Sequence, residues 1–191
     1  MANAVDIEEL DDIEEADDED GEDAGPDDMM KSVSDEIRKL STGDRAGLRR
    51  IYLTERHDAD GVVIGLLHRI GRDIPIRAEA FAPWRLLAHV AALLSGTGGD
   101  PSHSRRRLGA ALQAAGYSEN ALLRLTTARG PMLRGQIIRA ARRLAQKGDG
   151  PVNLWTVFDL AGRNATKIEE ARLRIAHDFY TAEAQSKKDP K

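Results

Sequence analysis

From Ser34 to Gln185, apolar side chains recur at intervals of three and four residues. That spacing gathers them into one stripe along an α-helix. No stretch alternates apolar and polar residues with the period of two that a half-buried strand requires. Glycines, prolines and short polar residues cut the pattern into successive segments, which predicts an all-α fold of about eight or nine helices.

The first segment opens at Ser34, which with Asp35 and Glu36 reads as a helix cap carrying negative charge in the first turn. GDRAGLRRIYL (43–53) brings Leu48 and Ile51 to one side, and DGVVIGLLHRIG (60–71) repeats the pattern and stops at a glycine. APWRLLAHVAALLSG (82–96) has Pro83 in its expected first turn and is apolar nearly all round, as suits a central helix. The run SGTGGDPSHS (95–104) then interrupts the periodicity with three glycines and a proline. It reads as a connector, not as a phosphate loop, since the Gly-Lys-Ser/Thr ending is missing. Beyond it lie RRRLGAALQAAG (105–116), a helix capped by Ser118, an arginine-rich helix ending near Gly148, and the segments 151–163 and 165–185. The expected organisation is two small helical lobes, 31–100 and 101–185, the second of them basic.

Charge changes this picture at the N-terminus. Residues 1–30 contain 15 acidic side chains and no lysine or arginine. Their mutual repulsion and few aliphatics predict a disordered acidic tail. The whole chain has 32 acidic and 28 basic residues, so the remainder holds 17 acids against 28 bases, a formal charge of +11 under a net value of −4. Between 101 and 150 there are ten lysines or arginines and two acids, Glu119 and Asp149.

The stretch RLTTARGPMLRGQIIRAARRLAQKG (124–148) has six arginines, one lysine and no carboxylate. At about 100° per residue, Leu133, Ile137, Ala141 and Leu144 form an apolar stripe with Ile138 at its edge. Arg139, Arg142, Arg143 and Lys147 fall on the opposite arc with Gln136, while Arg134 projects beside the stripe, where a structural role is expected. A helix face of one sign repels itself, and a polyanion is the economical partner. The candidate nucleic-acid-binding residues are Arg49, Arg50, Arg105, Arg106, Arg107, Arg124, Arg129, Arg139, Arg142, Arg143 and Lys147. Aromatics make up 4% of the chain and only Tyr117 lies in the basic region, so contacts should go to phosphates, not to stacked bases. Arginine suits bidentate phosphate hydrogen bonds.

Signatures of chemistry are weak. The chain has no cysteine, which removes disulfides and thiol nucleophiles, and its five histidines show no metal-ligand spacing. HDADG (57–61) resembles the start of a calcium loop without the downstream glutamate. A non-enzymatic protein without cofactors is expected. No apolar run reaches membrane-spanning length, so no membrane partner and a cytoplasmic location are expected.

Several segments resemble, in order, the CasB family, the small subunit of the type I-E CRISPR Cascade surveillance complex. They are GDRAGLRR, LGAALQAAGYSENALLRL (108–125), LRGQIIRAARRL (133–144), PVNLWTVFDLAG and RIAHDFY (174–180), together covering about residues 40–180. The resemblance implies an all-helical, two-lobed, non-catalytic subunit, two copies of which stack as a dimer among other Cascade subunits. Its implied partners are guide RNA and target DNA, including the displaced strand of the R-loop, which backbone contacts help to hold open. Two alternatives remain. One is a regulator with a helix-turn-helix over 118–148, against which stands the scarcity of base-reading Asn, Gln, Ser or Thr. The other is an adaptor whose basic face meets an acidic protein.

Overall fold

The computed structural model describes residues 26–53, 57–72, 77–95, 106–148 and 152–188. Nine α-helices and no strand occur among them. The expected acidic tail, up to residue 25, and nearly all of the 95–104 connector lie outside the described residues.

Helix α1 (Pro26–Lys39) begins eight residues before the expected cap. Ser34 is buried in its middle, not at its start, because Met29, Met30, Val33 and Ile37 form one apolar stripe that carries the helix through. Met29 and Met30, read from the sequence as tail, belong to the core. Helix α2 (Thr42–Arg50) starts at Ser41, whose hydroxyl accepts from Asp44 N at 3.0 Å. Helix α3 (Asp60–Arg69) closes through Gly71, whose φ of +69° lets Arg72 N reach back to Leu67 O at 2.9 Å.

Helix α4 (Ala78–Leu94) starts four residues earlier than expected, so Pro83 sits beyond the first turn and is buried. Lacking an N–H, it leaves one intrahelical bond unmade. The rest of α4 is immersed: Leu86 to Ala92 are all buried. The second half contains α5 (Leu108–Ala114), α6 (Glu119–Thr127), α7 (Gly130–Lys147), α8 (Trp155–Ala161) and α9 (Ala165–Lys188).

Helices α1, α2 and α3 lie against α4, while α5, α6 and α8 lie against α9. Helix α4 also packs on α7 and α8, so the apolar side chains of both halves form one continuous core. Helices α5 and α9 approach each other closely. A methyl group on Gly109 would stand 2.1 Å from Ile175 O and 2.8 Å from Phe179 N, so the two backbones meet there without an intervening side chain. No described helix is long and apolar enough to cross a membrane.

Candidate nucleic-acid interface

Helix α7 carries the basic row, and its ends follow from its sequence. Pro131 occupies the first turn, where its missing N–H costs nothing, and Gly148 terminates the helix in the left-handed region at φ +67°. Leu133, Ile137, Ile138, Ala141 and Leu144 are buried, as the pattern predicts. Gln136 is also buried, contrary to its expected outward position, because α4, α5 and α6 all pack on α7. This narrows the open arc. Arg139 and Lys147 are exposed, whereas Arg142 and Arg143 are half-buried at its margins.

The arginines divide by what they touch. Arg143 donates from Nε to Ala115 O at 2.9 Å and from Nη2 to Gly116 O at 3.4 Å. It thereby caps the C-terminal end of α5, where carbonyls lack helical partners. By contrast, Arg124 on α6 and Arg139 on α7 are both exposed and near enough to the half-buried Tyr117 for their charges to act on it. Burial raises the Tyr117 phenol above its ordinary value, and the charges of Arg124 and then Arg139 pull it back down. Ser118 positions this corner by capping α6, its hydroxyl accepting from Ala121 N at 3.3 Å. Among the described residues, no carboxylate pairs with Arg124, Arg139, Arg142 or Lys147.

Most of the other candidates are engaged within the fold. Arg49 donates to Ala92 O at 2.8 Å and ties α2 to α4. Arg50 bonds back to Ala46 O at 3.2 Å within its own helix. Arg106 is half-buried, and its main-chain oxygen accepts from Asn153 N at 3.0 Å. Arg107 pairs at 2.9 Å with Asp178, a carboxylate buried on α9. Arg129 donates to the carbonyls of Thr126, Thr127 and Ala128 and to Glu169. Arg105 lies outside the described residues. The structure thus leaves Arg124 and Arg139 exposed near Tyr117, with Lys147 and Arg142 further along α7, and engages Arg49, Arg107, Arg129 and Arg143 in bonds within the fold.

Three arginines that the sequence reading did not select also stand out. Arg134 lies with its guanidinium carbon 5.3 Å from the centre of the Tyr52 ring, a cation–π contact consistent with the structural role expected for it. Arg163 pairs with Glu79 at 2.5 Å, joining α4 to the turn before α9. Arg172 is buried on α9, and the signal for it was present: it falls three residues before Ile175 and seven before Phe179, on an otherwise apolar stripe. In HDADG, the acid at position 60 is occupied by protein partners. Asp60 lies 2.9 Å from His57 Nδ1 and 2.8 Å from Arg85 Nε.

No protein-family model, curated protein or solved structure matches this chain.

Proposed function

We propose that this protein is a non-catalytic subunit that holds nucleic-acid backbone within a larger RNA-guided assembly, in the manner of the Cascade small subunit that its sequence resembles. The observation that carries this reading is the open arc of α7 with α6: Arg124, Arg139 and Lys147 are exposed, Arg142 flanks them, and no carboxylate answers them among the described residues. Such a row suits successive phosphates and offers little to base edges. The threonine hydroxyls nearby are engaged by their own helix, Thr126 donating to Leu122 O and Thr127 to Leu123 O, which disfavours a base-reading regulator. Assembly through other subunits, or through a second copy, would use apolar surface, and Leu173 and Tyr180 are exposed seven residues apart on α9.

The test is binding of random-sequence single-stranded and duplex DNA across a range of salt. Arg142→Ala should weaken all sequences alike and lower the log–log salt slope by about one. Loss confined to one sequence, with the slope unchanged, would refute the backbone reading. Co-purification with guide RNA and larger subunits would establish the assembly.

A further inference from the structure

A second basic feature lies away from the α7 row. The starts of α7 and α9, with parts of α4 and α8, enclose a groove of about 600 Å³. This volume lies within the roughly 300–1,000 Å³ range of small-molecule sites. Four arginines line the groove (Arg129, Arg134, Arg163 and Arg172) against one carboxylate, Glu169.

Two of these arginines, Arg129 and Arg172, converge on a single point. Arg129 Nη2 donates to Glu169 Oε1 at 3.1 Å, and Arg172 Nη1 donates to that same oxygen. Both are also fixed by the chain between α6 and α7: Arg172 Nη2 donates to Ala128 O at 2.7 Å and Arg129 Nη1 to the same carbonyl at 3.1 Å. Arg172 is only 5% exposed, and its Nε is buried with no hydrogen-bond partner. A buried guanidinium N–H without an acceptor is costly. The start of α7, Gly130 and Pro131, also lines the groove, with no side-chain cap and no acidic residue in its first turn.

Next to this anionic seat the groove floor is apolar, built from Leu86, Leu133, Ile137 and Leu160. Arg134, lying over Tyr52, offers a planar guanidinium of the kind on which bases stack. We propose that this groove binds a nucleoside phosphate. The phosphate would displace the Glu169 carboxylate and accept from Arg129 and Arg172, and the base would rest on the apolar floor beside Arg134. Glu169 is half-exposed, so it can swing into solvent when displaced. In the empty groove it holds the two guanidiniums in place. The ligand could be a free mononucleotide or the phosphorylated end of a strand. Neither depends on the α7 row holding nucleic-acid backbone.

The experiment is calorimetric titration of the full chain with AMP, with adenosine and inorganic phosphate as separate arms. AMP should bind more tightly than either part alone. Arg129→Ala should weaken AMP about tenfold, the loss expected for one charge-assisted hydrogen bond. Glu169→Gln should tighten AMP severalfold by removing the competing anion. Both side chains are exposed, so these variants are expected to fold, whereas changes at buried Arg172 report on folding as well. A 5′-phosphorylated oligonucleotide that competes with AMP, where its 5′-hydroxyl counterpart does not, identifies a strand end as the source; no competition identifies a free nucleotide. Arg139→Ala separates the two sites by lowering binding of random-sequence strands without changing AMP affinity. If AMP and the phosphorylated oligonucleotide both fail to bind, or bind without responding to Arg129→Ala and Glu169→Gln, the proposal is overturned.

Discussion

Arg143 Nε donates to Ala115 O across 2.9 Å, a bond between α7 and the end of α5, 28 residues apart. Four residues earlier on α7, Arg139 stands exposed beside Tyr117. Two arginines that are equivalent by composition therefore have separable effects. Arg143→Ala should cost about 1–2 kcal/mol of stability, the range for hydrogen bonds from a charged donor that is partly buried. Arg139→Ala should leave the urea midpoint within error and weaken strand binding. Equal midpoints for the two variants would contradict this division.

His89 provides a pH dependence. Burial is the main influence and lowers its pKa; the Leu48 carbonyl, 2.8 Å from Nδ1, opposes this, and the nearby Arg142 charge adds to the lowering. The native ring is neutral with its proton on Nδ1, and Nε2 is buried without a partner. The unfolded chain takes up a proton near pH 6.5 that the native state resists, so the contribution is complete above about pH 6.5 and is lost as pH falls below it. Denaturation midpoints of the parent should drop from about pH 7 to about pH 5 more steeply than those of His89→Gln. Parallel curves would show that another group sets the slope.

Among the described glycines, Gly109 is the most tightly enclosed. A Cβ at this position would lie 2.1 Å from Ile175 O, which is main chain and cannot rotate away. Gly109→Ala should force α5 off α9 and cost about 3 kcal/mol, at the upper end of overpacking effects. Thermal denaturation measures it, and a shift of only a degree or two would mean that the helices separate easily.

Arg107 illustrates a charge expected on a ligand face and found in the frame. Its partner Asp178 is 4% exposed, so removing Arg107 leaves a buried carboxylate whose remaining ion-pair partner, among the described residues, is His177 Nδ1 at 3.5 Å. Arg107→Ala should destabilise by about 1–3 kcal/mol, the cost of an uncompensated buried group. Asp178→Asn should recover part of that loss in the double variant. Additive losses would show the pair to be uncoupled.

The helices and the α7 stripe were legible because an 18-residue helix repeats its apolar positions often enough to fix its buried face. Starts were less legible. Ser34 has a capping chemistry that local sequence favours, but Met29 and Met30 find core partners that sequence alone cannot locate, and packing overrides the cap. The fates of the arginines were least legible. Whether Arg139 faces solvent while Arg143 caps α5 depends on where α5 ends in space, not on the spacing within α7. Gln136 is buried for the same reason, through neighbouring helices whose placement its own helix does not encode.

Helix α4 gives the molecule a shared wall. Val90 and Leu94 of α4 surround a common small space with Ile137 of α7 and Leu160 of α8. Cutting the chain within residues 96–105 would strip both pieces of part of their interior, leaving matching oily faces. The two fragments should therefore recombine on mixing, with neither holding its shape alone. In engineering use, that segment is a site for split-protein complementation, where each half reports the presence of the other.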